Sequence, residues 1–93
     1  MLKNNKHDDK KFSFSIVTFN KRNSFRISKL YIKTENGYET FLCNYTNLIT
    51  TILPSKGFFK VKEKIFFRVN SDSILKIEDG KAELITENII IYS

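Results

Sequence analysis

Apolar and polar residues alternate with a period of two along much of this chain. Phe12, Phe14 and Ile16 are separated by Ser13 and Ser15, the pattern of a strand with one buried face. A polar cluster over 20–24 breaks the run. Alternation resumes over 25–33, where Phe25 and Ile27 open the segment and Leu30 and Ile32 then share a face. The parity changes near Ser28, which predicts a bulge or a strand that leaves one sheet for another. Asn36-Gly37 predicts a tight turn, since both residues tolerate positive φ, and 38–45 is expected to be the returning strand.

Further on, the β-branched run LITTIL at 48–53 stops at Pro54. Ser55-Lys56-Gly57 is expected to turn the chain into a short strand over 58–61. Lys62-Glu63 forms the tip of a hairpin into 65–69, and 70–73 is another polar break. Residues 74–77, a Glu78-Asp79-Gly80 turn and residues 82–85 make a further hairpin, and 89–92 is a last strand. Eight to ten short strands at near-regular spacing predict an all-β fold, a small β-sandwich. No window sustains a helical period, and the Thr and Ile residues of 44–53 favour a strand over a helical turn. No internal repeat, linker or low-complexity segment stands out. Residues 1–11 are expected to form a flexible polar tail and 12–93 the sandwich domain.

A chain of 93 residues has surface enough to bury for one core only. Its formal charge of +6 permits anionic partners, but many lysines neighbour acids, as in Lys62-Glu63-Lys64, which is the composition of a solvated surface. Cys43 is the one cysteine and His7 the one histidine, so the sequence offers neither an intramolecular disulfide nor a Cys/His metal set, and a reducing cytosol fits. The isolated glycines supply no phosphate-binding loop. The acids show no catalytic spacing, so neither an enzyme nor a cofactor is expected. Residues 1–11 carry Asp8 and Asp9 and lack the apolar core of a signal peptide. Apolar runs such as 89–92 fall far short of the ~20 residues that span a bilayer, so direct membrane insertion is not expected. One alternative is a small basic β-barrel that stacks single-stranded nucleic acid on Phe58, Phe59, Phe66 and Phe67 beside Lys60, Lys62, Lys64 and Arg68. In a strand, however, adjacent rings point to opposite faces, so one member of each pair is expected in the core and the other at a partner protein.

Taken in order, several segments resemble the N-terminal β-sandwich domain of the epsilon subunit of F-type ATP synthases, from about Phe14 to Ile90. FSIVT at 14–18 resembles the first strand of that family, and LYIKTENG at 30–37 resembles the strand leading to its glycine turn. LCNYTNLITTI at 42–52 resembles the family pattern Leu-Pro-Gly/Asn-His-Ala-Pro-Leu-Leu-Thr-x-Leu. PSKG at 54–57 resembles the Pro-Gly turn with an insertion, and ILKIEDGK at 74–81 the late hairpin. Cys43, Tyr45 and Asn47 stand where the family has Pro, His and Pro, and Tyr38 replaces the acid that commonly follows the turn glycine.

The resemblance implies a non-catalytic rotor subunit, peripheral to the membrane on the cytoplasmic side, that clamps a gamma-like shaft and helps transmit torque. It implies a membrane rotor ring as a further contact, although the ring-facing segments are those that depart most from the family. Nucleic acid is not implied. The family's C-terminal helical hairpin has no counterpart before Ser93, so neither its braking role nor its nucleotide binding is carried over. The altered segments point to a specialised F-like ATPase without a proton ring, ahead of a shortened epsilon subunit of a conventional synthase. Tyr38, Phe41 and Tyr45, around the altered motif, are expected near the partner-facing end. The competing reading makes Phe41 a core residue and the tyrosines ordinary strand positions.

Overall fold

A computed structural model describes residues 10–92. Ten strands follow one another: β1 Phe12–Thr18, β2 Lys21–Ile27, β3 Lys29–Thr34, β4 Gly37–Phe41, β5 Leu48–Ile52, β6 Ser55–Lys60, β7 Lys64–Val69, β8 Ser73–Glu78, β9 Lys81–Ile85 and β10 Ile89–Tyr92. They form one sheet in the order β10-β7-β6-β3-β5-β8-β9-β1-β2, with β4 on the other edge of β3. Every pairing is antiparallel except that of β1 with β9. The expected all-β architecture is therefore present, as a mixed sheet curled into two halves.

The bend falls at β3. Its first residues pair with β6, whereas only Thr34 pairs with Ile52 of β5. One half is β4-β3-β6-β7-β10 and the other β5-β8-β9-β1-β2. They close on each other: the Phe14 ring of β1 lies 5.3 Å from Phe59 of β6, and Phe25 of β2 lies 4.8 Å from the same ring. Ser28 is the predicted crossover. The chain before it pairs with β1 and the chain after it with β4 and β6, while the Ser28 amide donates to the Lys60 carbonyl across the bend.

The inward positions of both halves fill a core in which Phe14, Phe41, Phe59 and Phe67 are the largest fully buried side chains. Asp79 and Gly80 both have positive φ, as a two-residue hairpin turn of matching twist requires. Lys62 and Glu63 lie between β6 and β7, at the expected hairpin tip.

Three local expectations are corrected. Ser55, Lys56 and Gly57 do not turn the chain, because they already pair with Val69, Arg68 and Phe67 as the start of β6. The polar cluster at 20–24 is mostly strand. Lys21 to Ser24 extend β2, an edge strand whose exposed charges cost nothing in burial. The returning strand ends at Phe41 rather than at residue 45, and the chain then crosses a loop in which Asn44 adopts φ 74°. The tail expectation falls largely on residues 1–9, which lie outside the described residues. Of the remainder, Lys11 is exposed and its amine donates to the Val61 carbonyl.

Candidate partner interface

Period-two geometry splits the paired phenylalanines as expected. Phe59 and Phe67 are in the core, and Phe58 and Phe66 stand on the outer face. That face belongs to the β4-β3-β6-β7-β10 half and is built from one short pattern used three times. Lys29-Leu-Tyr31-Ile-Lys33, Lys56-Gly-Phe58-Phe-Lys60 and Lys64-Ile-Phe66-Phe-Arg68 each place a cation, an aromatic ring and a cation on alternate residues. All three point outward in neighbouring strands. Register then aligns the rings: Tyr31 faces Phe58, Phe58 faces Phe66, and Phe66 faces Tyr92 of β10.

The ring centroids are 5.3 Å apart from Tyr31 to Phe58 and 5.7 Å from Phe58 to Phe66. Tyr38 leans in from β4 to stack on Tyr31 at 4.9 Å, and its hydroxyl donates to the Lys56 carbonyl at 3.0 Å. The Lys64 ammonium caps the Phe58 ring at 4.7 Å and Lys33 approaches Tyr38 at 5.8 Å. Phe66 remains half exposed, at 50%. This repeated pattern escaped the sequence reading, which grouped Phe58 to Arg68 as one basic aromatic tract. Its signal was the recurrence of Lys-x-aromatic-x-Lys/Arg in three separate segments of the chain.

The residues expected near the partner do not share this surface. Tyr38 is on it. Phe41 is fully buried in the core, with no surface to offer. Tyr45 turns back from the loop onto Phe41, rings edge to face at 4.5 Å, and its hydroxyl donates to Glu39 Oε1 at 3.3 Å. The other Glu39 oxygen accepts from Thr34 at 2.9 Å, so Tyr45 and Thr34 share one carboxylate at the margin of the core.

Desolvation, and then the facing Glu39 carboxylate, hold the Tyr45 hydroxyl above its ordinary pKa of 10.0. Because the folded value is raised, the Tyr45 contribution to stability is complete below pH 10.0 and is lost as pH climbs through the folded value. A phenolate-absorbance titration checks this. Tyr45→Phe is expected to remove an ionisation above pH 10, and loss of one at or below 10 contradicts the assignment.

The outer face of the second half differs in character. Its charges are paired, between strands in Arg22–Glu83 at 2.9 Å and along β8 in Lys76–Glu78 at 3.2 Å. Val17, Ile74 and Ile85 form a smaller apolar strip on it, ending at Phe19, which is 97% exposed in the β1–β2 turn. Phe19→Ser is expected to leave thermal stability within about 0.5 kcal/mol of wild type, since the ring makes so little use of burial. Among the described residues no cluster of three His, Cys, Asp or Glu is placed to hold a metal, and no helix is long and apolar enough to cross a membrane.

No family model matches the sequence, and no curated protein matches it. Solved structures do share its fold. A chain in the cryo-EM structure of the Euglena gracilis mitochondrial ATP synthase (OSCP, F1 and c-ring, rotational state 1) matches with a TM-score of 0.81 and 11% identity, over 88% of this chain and 54% of that one. A chain in the Tetrahymena thermophila mitochondrial ATP synthase central stalk and c-ring structure matches with a TM-score of 0.68 and 11% identity, over 84% and 64%. This chain thus spans between about half and two thirds of the length of those chains. The fold is one found in ATP synthase central-stalk and ring assemblies.

Proposed function

We propose that this protein is a non-catalytic rotor subunit of an F-type or F-like rotary ATPase, clamping a gamma-like shaft and helping to carry torque. The observation that carries the proposal is the fold likeness over 88% of the chain, which agrees with the order of the epsilon-like segments in the sequence. Backbone geometry supports it locally. Asn44, with φ 74°, occupies the position that the family pattern fills with Gly or Asn, the residues that best tolerate that conformation. A curled sheet with a dense aromatic core also suits torque transfer, because cross-strand bonds and close packing resist shear.

The favoured version is a specialised F-like motor without a proton ring, ahead of a shortened epsilon subunit of a conventional synthase. Its support is the altered segment itself. Tyr45 stands where the family has His, and it is folded back onto Phe41 and Glu39 rather than held out toward a ring. Tyr38, next to the glycine turn, is likewise committed to Tyr31 and Lys56.

Affinity isolation from native cells under mild detergent tests both levels. Catalytic and shaft subunits are expected in the isolate without a ring subunit. Recovery of a stoichiometric ring restores the conventional synthase, and absence of any rotary ATPase subunit removes the proposal.

A further inference from the structure

We infer that the outer face of β4-β3-β6-β7-β10 is a docking surface for an acidic amphipathic helix of a partner protein. The inference deepens the rotor reading, and only the identity of that helix as part of the shaft rests on it.

The first ground is charge. No Asp or Glu takes an outward position on these five strands, since Glu39 faces inward opposite Ile32. The outward cations are Lys29, Lys33, Lys56, Lys60, Lys64 and Arg68. The chain's 16 Lys and Arg exceed its 10 Asp and Glu, and six of those cations stand on this one face without an outward acid among them. Like charges also sit directly opposite one another: Lys29 faces Lys60, Lys60 faces Lys64, and Lys56 faces Arg68. Each such pair opposes folding of the isolated chain. Carboxylates brought by a partner relieve that repulsion.

The second ground is shape. Tyr31, Phe58, Phe66 and Tyr92 make an apolar row running across four adjacent strands. Lys33, Lys56 and Arg68 border it on one side, and Lys29, Lys60 and Lys64 on the other. At strand spacing the row is about 14 Å long, which matches about nine residues of α-helix. A helix with an apolar stripe flanked by acids on both sides complements that layout.

The third ground decides between protein and nucleic acid. Bases need open ring faces on which to stack. Here the Tyr31 and Tyr38 planes are 6° apart and the Tyr31 and Phe58 planes 24°, so these rings spend their faces on each other, and Lys64 caps Phe58 as well. With those faces engaged, the row suits an apolar protein surface better than a stack of bases.

The test uses a synthetic helical peptide of about 15 residues with a leucine stripe flanked by glutamates, and a twin with lysines for the glutamates. Binding is followed by NMR on the full chain. The acidic peptide is expected to shift Tyr31, Phe58, Phe66 and Tyr92, more weakly at high salt, and the basic twin to shift nothing. Lys60→Glu puts a carboxylate between Lys29 and Lys64. It is expected to weaken the acidic peptide by about tenfold while raising the melting temperature by about 5 °C, a combination that lost folding cannot produce.

Three results overturn the inference: acidic-peptide shifts absent or confined to the other half, tighter binding of a dT oligonucleotide than of the peptide, or a dimer in sedimentation that Lys60→Glu dissociates. Native isolation with the Lys60→Glu chain separates this inference from the rotor reading. Undiminished recovery of shaft subunits overturns the shaft as the source of the helix, while the peptide arm decides the docking surface. Peptide binding without recovery of any rotary subunit by the wild-type chain sinks the rotor reading alone.

Discussion

Phe59→Ala is expected to lower folding stability by about 4 kcal/mol and the melting temperature by roughly 20 °C. Phe59 is fully buried and belongs to β6 in one half of the sheet. Its ring meets Phe14 at 5.3 Å and Phe25 at 4.8 Å from the other half, and its neighbour Phe67 at 6.2 Å. Alanine therefore opens a cavity at the seam between the halves, where four rings meet and no single neighbour can fill the space. A domain of 93 residues has only about 5–14 kcal/mol to lose. Phe58→Ala, one residue earlier, is the control. Its ring lies on the outer face, so the expected loss is about 1 kcal/mol. Chemical denaturation of the two variants settles the register of β6. A loss at Phe58 equal to or larger than that at Phe59 rules out the placement described.

The split of the two rings between faces was legible because its cause is local, although the sequence left open which ring is buried. Alternation in 12–16, the parity change at Ser28 and the Asp79-Gly80 turn follow from strand pleat and from residues that tolerate positive φ, and each appears in the structure. Features that depend on distant contacts were not legible. Gly57 resembles a turn residue until β3 and β7 are placed beside it. Lys21 to Ser24 resemble a loop until β1 supplies hydrogen bonds to a polar edge strand. The parallel contact of β1 with β9 joins residues nearly seventy apart in sequence, and no local pattern announces it.

The candidate interface shows the same division. Each Lys-x-aromatic-x-cation segment is visible in the sequence and by itself describes only a strand with a solvated face. Its meaning comes from register. A slip of one residue between β6 and β7 would turn Phe66 inward and break both the ring row and the cation rows. The three residues selected from the epsilon-like motif were chosen for where a family carries its changes, and this fold sends them to three different environments. Phe41 enters the core, Tyr45 closes over its margin, and only Tyr38 joins the outer aromatic row.

Gly57→Ala is expected to cost about 3 kcal/mol, at the upper end for one added methyl group, and to damage the interface as well. A β-carbon at Gly57 would lie 2.5 Å from the Tyr31 carbonyl oxygen and 2.8 Å from Cζ of Phe67. The Phe67 ring has no room to retreat, because it is fully buried beside Phe59. The carbonyl belongs to the β3 backbone, so relief means moving β6 away from β3. Those are the two strands whose pairing sets Tyr31 against Phe58. The variant should therefore melt lower and, where still folded, show a disrupted Tyr31–Phe58 contact by NMR. Adding Phe67→Leu separates the two clashes. If the ring were the main obstacle, the double variant would recover stability over Gly57→Ala alone. The shorter distance to a backbone atom predicts that it does not, and that the defect stays in the aromatic row.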